Sequence, residues 1–255
     1  MNPMLAENPR GLSGELMTAR IYSPFAYPLP RQTQIVPIVA AEVERLAASF
    51  PIVWRRSEAG LELVALRTLL PNGAGYVPGT DRVLSLLPLV FQAYPFLLGD
   101  VGEGGEKRRM VDVAVPDEPT DAGACMTGAD GRLSRGTELR LRALELFEWD
   151  RDRTAAIGGA LETRGLLEPW PLRFDLGHGR RCEILDLLIV GPKHFDTPAL
   201  SPILGEHGVG AARLFGHHRL SLFRAGALLQ AAQAAVAAAV KARSSDARPA
   251  EARVA

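Results

Sequence analysis

Five histidines, two cysteines and one carboxylate set in an apolar run are the residues of this 255-residue chain whose chemistry could exceed packing. His178, His194, His207, His217 and His218 form no HExxH, and no CxxC occurs, so the common zinc signatures are missing. His194-Phe195-Asp196 plus one of His217 and His218 would give three ligands only if the fold made them converge. Ala211–His218 reads as a strand, on which neighbours face opposite ways, so only one of that pair could join. One buried, hydrogen-bonded histidine and one surface histidine is the plainer reading, and no metal is expected. Asp186 interrupts Ile184, Leu185, Leu187, Leu188 and Ile189. A carboxylate buried in such a strand needs a partner or a shifted pKa. Arg173, across a hairpin, is the expected partner, in an ion pair rather than as the anchor of a general base. Asp186, His217 and His218 are thus the catalytic candidates, and none is assigned.

Other reactive patterns are weaker. There is no GxSxG nucleophile elbow. Cys182 lies between Arg181 and Glu183, where Arg180 or Arg181 could favour its thiolate, but a small core side chain is the simpler role. Gly205–Gly210 (GEHGVG) superficially looks like an acyl-CoA pyrophosphate loop. It lacks the Lys-Ser/Thr ending of a phosphate loop and is better taken as a turn. Tyr22, Phe25, Tyr27, Trp54, Tyr94 and Phe96 lie near prolines and could line a peptide groove. Of these, Tyr22, Tyr27, Trp54, Tyr94 and Phe96 are the ligand-binding candidates, with core packing as the alternative.

The elements that must position these residues begin at Phe50–Arg67, where two apolar runs flank a polar, Gly-containing connector, the mark of a β-hairpin. The second run is apolar on both sides toward its end, as in a strand covered on both faces. Before it, Tyr22–Arg31 holds three prolines and three aromatics and is expected to be extended, and Pro37–Ser49 has helical spacing. After the turn-rich loop Pro71–Thr80 a helix through Leu84, Leu87, Phe91 and Tyr94 is predicted, kinked at Pro88. Strands follow at Tyr94–Leu98 and Met110–Val115, separated by a surface loop, Gly99–Lys107. Asp117–Gly136 has no period and reads as a tethered or disordered loop. Thr137 is the expected cap of one amphipathic helix and Thr154 the start of another, stopped by Gly165. A second hairpin, Leu172–Leu176 with Arg181–Val190, turns at Gly177-His178-Gly179. Pro198–Leu204 suggests a short helix and Leu220–Arg243 a long Ala-rich one. These elements define an α+β protein with a mixed, largely antiparallel sheet, packed helices and a long Ala-rich C-terminal helix. Residues 1–20 read as a loosely held arm, 21–243 as a single domain and 244–255 as a disordered tail.

Composition narrows the function classes. With 29 basic and 29 acidic residues the chain carries no net charge, so neither nucleic acid nor an anionic membrane surface is an expected partner. Two cysteines imply no disulfide framework and suit a reducing compartment. The N-terminus lacks the basic start and apolar core of a signal peptide. The apolar segment Val83–Leu98 is shorter than the roughly 20 residues a bilayer span needs. No membrane insertion and a cytoplasmic location are expected. Ala225, Ala227, Ala231, Ala232, Ala234, Ala235 and Ala238 leave a flat helix face through which two copies could pair as a homodimer.

The order of landmarks resembles one family. Val36-Pro37 leads into Ala40-Ala41-Glu42, then Phe50-Pro51-Ile52-Val53-Trp54 and Tyr94-Pro95-Phe96. A helix ending Leu146-Phe147-Glu148, the run Gly165-Leu166-Leu167-Glu168-Pro169 and the late Arg219-Leu220-Ser221-Leu222 follow. Their order and spacing, from about residue 22 to 230, resemble the SapC family, named for a protein associated with bacterial surface-layer loci. The resemblance implies a link to surface-layer and peptide-transport functions. Relatives are described beside outer-membrane receptors, flavin-dependent tryptophan halogenases and cupin-like hydroxylases. It carries over no catalytic residue and no cofactor. The expectation is a non-catalytic binding or accessory protein for a peptide or protein partner. The alternative is an enzyme of an acyl- or amide-forming step on peptides, using Asp186 and a histidine.

Overall fold

The computed structural model describes residues 6–12, 16, 19–57, 60–77, 79–80, 82–100, 107–119 and 122–246. In chain order its first half carries β1 (Pro9–Gly11), β2 (Arg20–Ile21), α1 (Pro28–Gln32), β3 (Ile35–Pro37), α2 (Val43–Leu46), β4 (Ile52–Ser57) and β5 (Gly60–Leu66). Then come α3 (Leu89–Gln92), β6 (Phe96–Asp100), β7 (Lys107–Asp112) and β8 (Ala124–Cys125). The second half adds α4 (Arg135–Thr163), β9 (Leu167–Pro169), β10 (Leu172–Gly177), β11 (Arg180–Ile184), β12 (Leu187–Val190), α5 (Ser201–Ser221) and α6 (Arg224–Asp246).

The organising layer is a five-stranded sheet in the order β3-β5-β4-β12-β9, with every pairing antiparallel. Its seed is the hairpin β4–β5, whose register sets Trp54 opposite Leu63. Alternation along the strands sorts the side chains into two cores. Ile52, Trp54, Leu63, Ala65 and Val190 face Ile157 and Leu161 of α4 and Leu214 and Phe215 of α5. Val53, Val64, Leu66, Leu187 and Ile189 face Leu228, Ala232 and Val236 of α6 and the β10–β11 hairpin. The sheet is therefore the middle of three layers, which accounts for the two-sided apolar character of β5. A smaller sheet, β1-β7-β6, packs with the first half of α4. The architecture is α+β.

Several elements differ from the sequence expectation, for physical reasons. Tyr22–Arg31 is not simply extended: Pro24 and Pro28 each take a first-turn position, opening a 3-10 turn at Pro24–Ala26 and α1. The expected helix Pro37–Ser49 is only a 3-10 turn at Ala40–Glu42 continued by α2. Pro88 does not kink a long helix but precedes a short one, α3. The two helices expected after Gly136 are one, α4, capped by Ser134, whose Oγ accepts from Thr137 N–H at 3.4 Å. Thr137 itself is fully buried. Arg181–Val190 is two strands in two sheets, and Ala211–His218 is helix, not strand. The Asp117–Gly136 loop is anchored by Arg31, which pairs with Asp117 and with Glu118, and by β8 against β2.

The N-terminal arm is likewise tied down over Glu7–Gly11. Buried Asp112 accepts from Glu7 N–H at 2.9 Å and Asn8 N–H at 2.7 Å, and β1 pairs with β7. The first residues of the expected disordered tail continue α6 to Asp246; residues 247–255 lie outside the described residues, as does most of the Gly99–Lys107 loop. Among the described residues, Arg224–Ser244 is long and apolar enough to cross a membrane by length and composition, with mean hydropathy 1.3.

Candidate functional site

The sequence candidates do not come together. Asp186 falls where the chain crosses from β11 to β12, with its side chain 46% exposed. Its Oδ2 accepts from Arg55 Nε at 2.5 Å, so the partner is Arg55 and not Arg173, which sits opposite Glu183. The expected burial fails because Leu185 and Asp186 belong to a sheet-to-sheet crossing rather than to one continuous strand. Asp186 lines none of the cavities at His194, His217, Arg151 or Arg67.

His218 is fully buried on α5 and splices two strands of the central sheet. Its Nδ1 lies 2.6 Å from Ile52 O, and its Nε2 accepts from Val190 N–H at 3.2 Å. That pattern requires a neutral ring with the proton on Nδ1. Burial lowers its pKa to about 4, against the pull of the Ile52 carbonyl. Ser221 completes the splice, accepting from Ile52 N–H at 2.9 Å and donating to His218 O at 2.7 Å. His217, half-buried on the same helix, faces a polar cavity of about 150 Å³ beside Arg153, Arg213 and Glu44. Cys182 is buried, its thiol donates to Leu69 O at 3.2 Å, and burial raises its pKa, the opposite of an activated nucleophile.

The aromatic candidates build cores rather than one groove. Tyr27, Trp54, Tyr94 and Phe96 are at most 2% exposed, and only Tyr22 is half-buried. Tyr22, Tyr27 and Tyr94 form an edge-to-face chain, with centroids 6.5 and 5.0 Å apart. Tyr94 donates to Asp112 Oδ2 at 2.7 Å. Trp54 belongs to the core under α4 and α5, and Phe96 to the core under the smaller sheet. Prolines around these rings fix chain direction into the cores and carry no information about a ligand.

An apolar opening lies elsewhere. After β12 the chain makes 3-10 turns at Pro192–Phe195 and Pro198–Leu200, each opened by its proline, and runs directly into α5. These turns and the outer face of α5 line an open cavity of about 500 Å³. Phe195, Leu204, Phe215 and Phe223 give its apolar walls. Phe223, in the break between α5 and α6, is 82% exposed and Leu220 66%. Two polar groups stand among them. The Arg219 guanidinium lies over the Phe195 ring, 5.1 Å from its centroid, and His194 Nε2 is buried without a partner. An apolar cavity of this size with a few convergent polar groups has the form of a site for a ligand. In the sequence His194 stands out only as a metal candidate, and nothing there places it at one cavity with Arg219. The signal available was the run of apolar residues around Arg219 that the final helices leave unburied. Among the described residues no three His, Cys, Asp or Glu side chains converge on a metal-sized point.

With that geometry in hand, the class is an α+β protein with an apolar, cation-edged cavity beside its central sheet. The SapC family model matches residues 17–222, and the chain belongs to that family. The match reaches from the start of β2 through α5 and ends before α6. Searches of curated proteins and of solved structures each returned no match.

Proposed function

We propose that this SapC-family chain is a non-catalytic binding or accessory protein that captures a segment of a peptide or protein partner in its Phe195–Phe223 cavity. The observation that carries the reading is an open, apolar volume of about 500 Å³ whose polar edge is Arg219 and the unpartnered Nε2 of His194. The apolar walls suit a large aliphatic or aromatic side chain, and Arg219 suits a neighbouring carboxylate. The role fits a surface-layer, outer-membrane uptake or peptide-modification pathway, and the two free cysteines suit a reducing, cytoplasmic setting. The acyl- or amide-forming alternative gains no support from Asp186, whose carboxylate is engaged by Arg55.

Fluorescence anisotropy tests the reading with dansylated peptides carrying Phe, Trp or Leu beside Asp, against the same peptides with Lys in place of Asp. The Asp series binds the wild-type chain, and Ala212→Trp, which fills the cavity from an exposed position on α5, weakens it at least tenfold. Equal binding by wild type and Ala212→Trp, or a preference for the Lys series, would remove the cavity from the function.

A further inference from the structure

Arg67 carries a positive charge into the interior, and among the described residues no carboxylate meets it. It directly follows β5 and is 5% exposed. Its Nη1 donates to two backbone carbonyls, Pro30 O at 2.7 Å and Thr33 O at 3.3 Å, while its Nε is buried and has no acceptor. The guanidinium carbon lies 5.0 Å from the centroid of Tyr76 and 5.6 Å from that of Phe91, so rings fix its position. Burial lowers its pKa from the ordinary arginine range, a sign that the charged form is poorly solvated. A buried ion without a counter-charge is costly, and native structures keep such groups for a reason.

The surroundings show what would meet that charge. Arg67 lines a cavity of about 220 Å³ together with Arg31, Arg82, Asn72 and Tyr76. Among the described residues no acidic one lines it. Arg31 is satisfied by Asp117 and Glu118, and Arg82 by Glu118. Among the described residues, three guanidinium groups and two carboxylates leave one positive charge over, and it is the buried one. The wall opposite is built to stay in place. Tyr76 donates to Arg31 O at 2.7 Å, Thr68 donates to Ala74 O, and Gly73, at φ +71°, packs so tightly on the Arg31–Gln32 backbone that a Cβ would overlap it.

We propose that the Arg67 cavity is a binding site for a small carboxylate, taken through the guanidinium edge that the Pro30 and Thr33 carbonyls leave unused. Two carboxylate oxygens match the Nε–Nη2 edge of arginine in a planar bidentate pair. The volume fits a small organic acid or the last residue of a peptide and is too small for a nucleotide. The site is separate from the Phe195–Phe223 cavity and does not depend on it.

Isothermal titration of the full chain with succinate, with an N-acetyl tripeptide bearing a free C-terminus, with its C-terminal amide and with inorganic phosphate tests the assignment. Succinate or the free-acid peptide binds, the amide does not, and added salt weakens the binding. The two binding arms distinguish a metabolite from a chain terminus. Arg82→Gln, at a half-exposed side chain, lowers affinity several-fold, and Arg67→Gln abolishes it. Should Arg67→Gln fail to fold, Asn72→Asp decides instead. An acid at that exposed rim position supplies the missing charge from within, so it raises the Tm and weakens succinate binding at least tenfold. Binding of phosphate alone, equal binding of acid and amide peptides, or an Asn72→Asp chain that binds succinate like wild type would overturn the proposal.

Discussion

His218 and Glu42 show how two buried titratable side chains can serve the fold while opposing each other in pH. His218→Leu leaves Ile52 O and Val190 N–H without partners inside the sheet, so it lowers unfolding free energy by about 2–4 kcal/mol in urea titrations. The folded pKa of His218 is lowered to about 4 from 6.5. Its contribution is therefore complete above pH 6.5 and is lost as pH falls toward 4, because the unfolded chain takes the proton first. Glu42 runs the other way. Its carboxylate accepts from Val39 N–H at 3.1 Å, Leu89 N–H at 2.6 Å and Arg45 at 3.0 Å, yet burial outweighs them and pushes its pKa up to about 7 from 4.5. Its contribution is complete below pH 4.5 and is lost as pH rises through 7. Between pH 4.5 and 6.5 the two slopes cancel, and wild-type stability is nearly flat. Glu42→Gln removes one of them, so its stability rises with pH across that window by up to about 1.4 kcal/mol per pH unit. Chemical denaturation at half-unit steps checks this, and a flat Glu42→Gln profile would refute it.

At the scale of elements, α4 and α5 carry the differences between sequence pattern and structure. The apolar stripe of α4 breaks at Asp150 and Thr154, which is why its sequence divides into two helices. Both residues are buried because they take the first backbone donors of the 3-10 turn at Ala40. Ala41 N–H donates to Asp150 Oδ2 at 2.7 Å, and Ala40 N–H to Thr154 Oγ1 at 2.8 Å. A polar pair mid-helix looks like a loop until the second segment it serves is known, and that segment lies more than 100 residues earlier. In α5 the glycines of Gly205–Gly210 suggest a turn, and one of them does depart from the helix. Gly208 has φ 63° and ψ −151°, a region essentially closed to other residues. Gly208→Ala meets no neighbour within 4 Å, so its cost is purely backbone strain, about 1–3 kcal/mol in thermal or urea unfolding. The β4–β5 and β10–β11 hairpins were legible because their signals are local: apolar runs, polar connectors and glycines. The Phe195–Phe223 and Arg67 cavities were not, since each gathers segments whose proximity no periodicity encodes.

For the whole molecule, the Ala-rich α6 decides how the second core is covered. It lies beyond the family match at residues 17–222 and is long and apolar enough to cross a membrane by length and composition. Its packing favours the sheet. Leu228 and Ala232 are fully buried and Val236 is 2% exposed, against Val64, Leu66 and Leu187. Ala232 also abuts Gly75, where a Cβ would come within 2.9 Å of its Cα. Substituting Ala232 would therefore report on folding rather than on self-association, whereas Ala234, on the exposed side, reports on association alone. Ala232→Glu buries an unpaired carboxylate and costs more than about 3 kcal/mol, while Ala234→Glu stays within about 0.5 kcal/mol of wild type. Leu228→Ala costs about 2–5 kcal/mol if the helix covers the core. Urea unfolding of the three variants separates the readings. Loss of stability in Ala232→Glu and Leu228→Ala assigns α6 to the sheet, whereas wild-type stability in both would show that the second core holds without it. A fall in mass on a sizing column for Ala234→Glu, with unfolding unchanged, would give the outer face of the same helix to a second copy.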